Sequence, residues 1–355
     1  MLAFKYVSYH YIKYFLIILI ALVIFTVGFD YMGTANKLKS ANLLVIYLAY
    51  KSFYAVDLLL PLSLVFAMIS TKILLIRTNA LVSFYSLGYS KVDILKPFVV
   101  VSTLITMFFI SLHWIPHFSR ADEFSQNIRR NAQYLSPTRD LFFTYGDKFI
   151  YISKMLPLQA KAEGIRVFRI ENNSLTEVLI AKTAMYRDGA WFIPEASVIL
   201  KPDEINFTSH GIKVSKQNDL KILQGFRPKM LDQVYEGKVN FTIKNAIDAY
   251  ILLSNQNINT DVIRSALYRM FVYPFYVPCL IVIIFFFVPI SARFLNVSLF
   301  SFGAILASLM VWTFLFMLGE LSKNKTIPSE VGIVLPVLII FIFSIRQWRK
   351  HRLSS

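Results

Sequence analysis

Residues 270–292 read MFVYPFYVPCLIVIIFFFVPISA, an apolar stretch without a charged side chain, and Arg269 and Arg293 flank it. About 20 apolar residues are needed to cross a hydrocarbon core of roughly 30 Å, so this stretch is long enough to span a bilayer. It contains Pro274, Pro278 and Pro289. Proline is tolerated in a spanning helix because neighbouring helices satisfy the backbone carbonyls that it frees. The stretch therefore predicts a transmembrane helix.

The composition of the whole chain indicates the same class. Of 355 residues, 56% are hydrophobic and 16% are charged, whereas about a quarter are charged in a typical soluble protein. The net charge of +16 is uneven, because residues 120–262 hold 19 Lys and Arg against 16 Asp and Glu, and the rest hold 18 against 5. The basic excess flanks the apolar segments, which favours anionic lipid headgroups over nucleic acid as a partner. The single cysteine, Cys279, excludes an intrachain disulfide.

Six apolar segments are predicted to span the membrane, three on each side of a polar middle region. They are residues 14–29, 58–71, 97–119, 270–292, 294–319 and 331–345. A cleavable signal peptide is the alternative for the first segment, but no small-residue cleavage site follows it. We expect Lys51 at the outer surface and Asp57 one to two turns inside, where either a bundle partner or a functional role accounts for the charge.

The region between the two sets of spans has the pattern of a β domain. LFFTYGDKFIYIS at residues 141–153 alternates around Gly-Asp, and AMYRDGAWFI at residues 184–193 carries an Asp-Gly hairpin signal. Further strands are predicted at residues 164–170, 175–181, 197–200, 212–214 and 220–223. Short strands separated by turn residues predict a sandwich or a roll.

A short one-sided helix is predicted between the second and third spans, at about residues 78–90. Its predicted apolar face, with spacing i, i+3, i+4 and i+7, is Leu81, Phe84, Tyr85 and Gly88. Asn79 is the expected N-cap, Gly88 the expected left-handed end, and Ser90 with Asp93 a capping box for the next helix. Two interpretations stay open, a docking helix for a cytosolic partner and an interfacial helix on lipid headgroups.

Charge in the short connections predicts the orientation. With six spans, the N-terminal tail, residues 72–96, Arg293 and the C-terminal tail lie on one side and are basic, whereas residues 320–330 on the other side are balanced. The positive-inside rule then places both termini in the cytoplasm and the β domain outside. Lys37 and Lys39 are basic residues on the outer side, and we expect them to meet an anionic ligand.

Enzyme motifs are absent from the sequence. The chain lacks G-x-x-x-x-G-K-[ST], H-E-x-x-H and G-x-S-x-G. His113 and His117 are four residues apart, but Pro116 lies between them, so we interpret them as interface residues rather than as metal ligands. The residues alone indicate a permease-like protein that has no energy source of its own, no catalytic residues and no bound metal or cofactor.

Three stretches resemble the LptF/LptG permeases of the lipopolysaccharide export transporter, and the resemblance covers essentially the whole chain. The stretches are LGYSKVDILKP at residues 87–97, residues 241–274 with Arg269 and Pro274, and VPISARF at residues 288–294. The chain departs from the family's coupling helix, in which Glu and Arg are usual, because Ala80 and Tyr85 stand at those positions. The departure gives more weight to an aromatic contact through Phe84 and Tyr85.

The resemblance implies a fold of six transmembrane α-helices (3+3) with an inserted periplasmic β-jellyroll-like domain. The implied segments are residues 1–119 for the first three spans, 78–90 for the coupling helix, 120–240 for the β domain and 241–355 for the connecting helices and the last three spans. It also implies a half-transporter of the bacterial inner membrane, and the FDYM stretch at residues 29–32 leans toward LptG over LptF.

The partners that the resemblance implies are an LptB-type ATPase dimer, which uses ATP and Mg, the paralogous LptF or LptG permease, LptC, LptA and lipopolysaccharide. The implied ATPase-coupling residues are Leu81, Phe84, Tyr85 and Gly88. Lys37 and Lys39 are the expected lipid-headgroup contacts. Spans one and five are expected to enclose the lipid, with a cavity wall of Phe300, Phe302, Leu306, Leu309, Phe314 and Phe316.

Two alternatives remain at this point. One is a permease of another lipid or lipoprotein exporter, which usually has four spans and a large domain after the first. The other is a membrane-anchored periplasmic protein for ligand binding or assembly, which would carry a signalling domain inside. Pairing with an identical subunit is open as well.

Overall fold

The computed structural model describes residues 2–34, 41–129, 138–145, 148–156, 160–171, 174–201, 212–224, 241–254, 260–287, 296–324 and 326–353. The chain forms two compact units. A helix unit comprises residues 1–129, 241–243 and 264–355, and a sheet unit comprises residues 130–240 and 244–263. The polypeptide thus leaves the helix unit twice, after residues 129 and 243, and returns to it at residues 241 and 264.

The α-helices are α1 Leu2–Thr34, α2 Ala41–Arg77, α3 Ala80–Ser86, α4 Lys91–Leu112, α5 Pro116–Ser119, α6 Ala121–Arg129, α7 Ile243–Ser254, α8 Asp261–Phe271, α9 Tyr276–Phe287, α10 Val297–Lys323 and α11 Leu335–Leu353. A 3₁₀ turn, Tyr273–Phe275, joins α8 to α9, and a π-helical turn, Glu330–Val334, precedes α11. Within the described residues, six helical stretches are long and apolar enough to cross a membrane, which confirms the predicted number of spans.

Proline sets the boundaries of two spans. The third span was expected to reach residue 119, but α4 ends at Leu112 and a separate turn, α5, starts with Pro116. Proline cannot donate a backbone hydrogen bond, so the helix stops before it and restarts with proline in its first turn. The fourth span is interrupted in the same way, because Pro274 lies in the 3₁₀ turn between α8 and α9.

Aromatic side chains form the centre of the helix unit. The Tyr11 hydroxyl of α1 donates to the Leu64 carbonyl of α2 at 3.1 Å, which satisfies a polar group in a fully buried position. The Tyr11 ring meets Phe98 of α4 at 5.2 Å between centroids, and Phe98 meets Phe285 of α9 at 5.8 Å. Edge-on and tilted ring contacts at these distances are favourable, and together with the Tyr11 hydrogen bond they connect four helices.

The sheet unit contains a six-stranded antiparallel sheet whose strands follow the order of the chain. The strands are β1 Thr138–Tyr145, β2 Lys148–Leu156, β3 Lys161–Glu171, β4 Ser174–Arg187, β5 Ala190–Leu200 and β6 Lys213–Ile222. Asp188 and Gly189 take φ of +49° and +81° in the turn between β4 and β5, as a two-residue hairpin turn of the primed type requires. Trp191 is fully buried on one face. The helices and this sheet confirm the predicted fold class.

Three of the predicted breaks between strands were wrong. Residues 175–181 and 184–187 form one strand, β4, and residues 190–193 and 197–200 form one strand, β5. Residues 212–214 and 220–223 were expected to be separate, but β6 is one strand that pairs with β5 from Lys213 to Ile222. Its sequence, KVSKQNDLKI, is mostly polar and its side chains are largely exposed. Such a strand shows no alternation of apolar residues, because backbone pairing to β5 rather than burial of one face holds it.

Candidate functional site

Helix α3 ends in a complete Schellman turn. The Gly88 amide donates to the Tyr85 carbonyl at 3.0 Å, and the Tyr89 amide donates to the Phe84 carbonyl at 3.1 Å. Gly88 has a φ of +86°, a left-handed conformation that glycine adopts without steric penalty. The Phe84 and Tyr89 rings, 6.0 Å apart, make the apolar contact that accompanies such a turn. The predicted left-handed end of this helix is confirmed.

The start of α4 fixes the other side of the same connection. Ser90 Oγ accepts a hydrogen bond from the Asp93 amide at 3.1 Å, and the Ser90 amide donates to the Asp93 carboxylate at 3.2 Å. This is the predicted capping box. Asn79, in contrast, has a φ of +55° and its side chain makes no capping hydrogen bond, so that prediction was wrong. Only Thr78 and Asn79 separate α2 from α3, and Asn79 is used to reverse the chain rather than to cap it.

The two faces of α3 have different surroundings. Leu81 is fully buried, and Phe84 and Tyr85 are partly buried against the core of the helix unit. Phe84 meets Tyr6 of α1 edge-on at 6.1 Å, and burial raises the pKa of Tyr85 to about 12. Three of the four predicted coupling residues therefore attach α3 to its own chain.

The outer face of α3 was not predicted. It carries Val82, which is 43% exposed, and Leu87, which is 73% exposed. Ser83 and Ser86 lie between them and are exposed as well. Val82 follows Leu81 by one position and Leu87 follows Tyr85 by two, so neither residue shares the buried face. The helical period would therefore have identified the outer face once the buried face was known.

Helix α10 contains all six residues predicted to form the cavity wall. Phe302, Leu306 and Phe314 are exposed, whereas Phe300, Leu309 and Phe316 are partly buried. The Phe316 ring stacks on Trp312 at 5.7 Å, and the Arg269 guanidinium lies 5.7 Å from its centroid. Phe316 thus faces the helix unit rather than the exposed side.

The exposed side of α10 is larger than predicted. Leu299, Met310 and Met317 are also exposed, and they lie three or four residues from the exposed members of the predicted wall. Helix α1 offers a second apolar surface, because hardly any residue in its most hydrophobic part is buried, whereas most residues in that part of α2 are buried. The exposed residues of α1 include Ile17, Ile20, Ile24, Phe25 and Phe29. Helices α1 and α10 are therefore the spans whose apolar faces are least covered by their own chain, together with α11.

Lys37 and Lys39, the predicted headgroup contacts, lie outside the described residues, as does the VPISARF stretch at residues 288–294. Polar contacts join α1 and α2 near the helix ends that flank residues 35–40. Lys51, expected at the surface, is buried and lies 3.6 Å from the Asp30 carboxylate. Tyr47 donates a hydrogen bond to the same carboxylate. These contacts hold α1 and α2 together at the ends that the predicted lysine loop connects.

Asp57 has a bundle partner, as one of its two interpretations required. His113 Nε2 lies 3.0 Å from Asp57 Oδ1, and His113 Nδ1 lies 3.1 Å from the Phe109 carbonyl. His117 contacts Tyr50 instead, with 3.0 Å between Nδ1 and the hydroxyl. The two histidines therefore contact two different residues of α2, Asp57 and Tyr50.

A comparison with protein families decides the identity. The family described as lipopolysaccharide export system permease LptF/LptG matches residues 5–350 of the 355-residue chain. The chain belongs to the LptF/LptG family. It is thus a permease of lipopolysaccharide export and a multi-pass membrane protein, and its family is not an enzyme family. A search of curated proteins finds no match.

The family match spans both units of this LptF/LptG permease. It includes α3 with its Schellman turn, the six-stranded sheet and the exposed faces of α1 and α10. It does not distinguish LptF from LptG.

Proposed function

We propose that this permease is one transmembrane subunit of an ATP-driven exporter that takes lipopolysaccharide from the outer leaflet of the inner membrane and passes it to a periplasmic bridge. A separate cytosolic LptB-type ATPase dimer binds ATP and Mg, and this chain binds no cofactor of its own. The second transmembrane subunit is the paralogous LptF or LptG permease. The termini and α3 lie on the cytoplasmic side, and the sheet unit is periplasmic and hands the lipid to LptC and LptA.

The observation that supports the proposal most is the way in which α3 is fixed to the rest of its chain. A seven-residue helix is too short to be stable alone, yet this helix is closed by a Schellman turn, followed by a capping box and anchored by Leu81. The result is a rigid short helix that presents Val82 and Leu87 outward. A short helix that is fixed firmly to its own chain and exposes apolar side chains is suited to transmit force from an ATPase. A helix that only lies on lipid headgroups does not need to be fixed in this way.

The apolar faces of α1 and α10 support the lipid path. Lipopolysaccharide has several acyl chains and phosphate groups, so it requires an apolar wall and a cationic rim. In the proposed complex, Phe302, Leu306 and Phe314 contribute to the wall, and Lys37 and Lys39 contribute to the rim. The partner permease closes the other side of the cavity, which accounts for the low coverage of α1 and α10 by their own chain.

The docking role of α3 is tested by separating its outer and inner faces. Burying an exposed Leu side chain contributes about 1.5–3 kcal/mol, so we expect Leu87→Ser to weaken association with the ATPase by about tenfold or more. The thermal stability of the permease should not change, because Leu87 is outside its core. Phe84→Ala/Tyr85→Ala should lower both association and stability, because those rings hold the helix in place.

The measurement is the affinity of the detergent-solubilised permease pair for the isolated ATPase. Leu2→Ser is the matched control, because Leu2 is also highly exposed and lies on the same proposed side but outside α3. Unchanged affinity in Leu87→Ser and in Leu87→Ser/Val82→Ser would remove the outer face of α3 from the ATPase interface. Equal weakening by Leu2→Ser would show that the effect is not specific.

A further inference from the structure

Lys72 is a fully buried lysine near the end of α2. Its side chain is 2% exposed and lies five positions before Arg77, the last residue of that helix. Lysine is rarely buried, because removing an ammonium group from water is costly unless other groups replace its hydration. The contacts that Lys72 makes are therefore part of the structural reason for its position.

Within the part of the chain that the structure describes, Lys72 contacts Phe285 of α9 in two ways. The Lys72 ammonium donates a hydrogen bond to the Phe285 carbonyl, and Nζ lies 3.6 Å from the centroid of the Phe285 ring. Phe285 belongs to the last described turn of α9, and the residue four positions after it, Pro289, has no backbone N–H to donate to the Phe285 carbonyl. Lys72 thus caps α9 from a neighbouring helix and adds a cation–π contact.

The end of α9 is in turn a junction of the helix unit. The Phe285 ring packs on Phe98 of α4 at 5.8 Å, and the adjacent Phe286 stacks on His351 of α11 at 4.1 Å. On the other side of Lys72, α2 runs to Arg77 and is joined to α3 by two residues. The Asn79 amide donates to the Ile76 carbonyl at 3.1 Å, which keeps that joint short.

We propose that Lys72 is a positioning residue that links α9 to the end of α2 from which α3 follows. Because of this link, a displacement of α3 also moves α9, and α2 does not slide along α9 instead. This inference rests on the proposed ATPase-docking function of α3. Apolar packing between two helices is non-directional and permits sliding, whereas a hydrogen bond from a buried ammonium to a helix-terminal carbonyl fixes both distance and direction. Lys72 acts through α9 and contacts neither nucleotide nor lipid.

The test replaces Lys72 with methionine, which has a similar length and no charge. Replacing a buried charge by an apolar side chain of similar volume is often neutral or stabilising, so the thermal stability of Lys72→Met should be unchanged or higher. In proteoliposomes containing the ATPase and both permeases, ATP hydrolysis should stay within about twofold of wild type, while lipopolysaccharide released per ATP falls about tenfold, the lower end of the effect of losing one charged hydrogen bond. Lys5→Met is the matched control, since it removes the same charge from an exposed residue near the start of α1.

A second readout does not depend on transport. Spin labels at Arg77 and Phe287, both exposed, report the distance between the ends of α2 and α9 by pulsed electron paramagnetic resonance. Wild type and Lys5→Met should give one narrow distance distribution and Lys72→Met a clearly broader one. An equally narrow distribution in Lys72→Met, or an unchanged amount of lipid released per ATP, would contradict the proposed link between α9 and α3. If wild type releases no lipid with ATP, the proposed function fails and the distance measurement still decides on Lys72.

Discussion

Charged side chains inside the helix unit contact groups on other helices. Asp57 lies 3.0 Å from His113 in a pair 56 residues apart in the chain, and Arg269 lies 2.8 Å from Glu320 in a pair 51 residues apart. A charged side chain without compensation costs about 2.5–3.5 kcal/mol at the centre of a membrane helix. The sequence showed that Asp57 needed a partner, but not which one, because no local spacing relates two residues on different helices.

The Asp57–His113 pair gives a prediction at the scale of single residues. His113→Leu removes the hydrogen-bond partner of Asp57, whose side chain is 38% exposed, so we expect a loss of about 0.5–1.5 kcal/mol in the free energy of unfolding. Adding Asp57→Leu should recover most of that loss, since replacing both polar partners by apolar groups can be nearly neutral. Thermal unfolding in detergent of the two single variants and the double variant measures both effects. Additive losses in the double variant would show that the two residues do not stabilise each other.

Individual elements were predictable where a short sequence motif determines the backbone conformation regardless of which elements pack around it. Gly88 marked the left-handed end of α3, and Ser90 with Asp93 marked the start of α4, because these motifs depend on backbone groups a few residues away. Asn79 and β6 were not predictable in the same way. Asn79 reverses the chain because α2 extends to Arg77, and β6 is defined by its pairing with β5, which the sequence of β6 does not contain.

The Schellman turn of α3 gives a prediction at the scale of an element. Gly88→Ala meets no atom within 4 Å, so its cost arises from the left-handed backbone alone and should be about 1–2 kcal/mol. Gly28→Ala in α1 also meets no atom and has no positive φ, so it should raise stability by up to about 1 kcal/mol. Thermal stability and ATPase affinity should both decrease in Gly88→Ala only. Equal stability of the two variants would mean that the turn does not hold α3 in place.

The fold class of the whole molecule was easier to predict than its individual contacts, because the hydropathy and charge patterns that determine it extend over long segments. Six apolar stretches and a region of short strands defined the fold class before any contact was known, and the family match agrees with the resemblance over residues 5–350. The sequence could not tell which apolar residues of α10 are exposed, because almost every residue of that helix is apolar and the packing partners decide the orientation. The incomplete coverage of α1 and α10 is the feature that makes a second permease subunit necessary in the proposed mechanism.

The central claim is that ATP hydrolysis by a separate subunit drives this permease to move lipopolysaccharide. It is tested most directly by reconstituting the chain with the partner permease and the ATPase in lipopolysaccharide-loaded proteoliposomes, and measuring transfer of the lipid to a soluble periplasmic acceptor. The account predicts transfer that requires ATP, Mg and all three proteins, with no ATP hydrolysis by the permeases alone. Transfer without ATP, or ATP hydrolysis by the isolated permease, would contradict it.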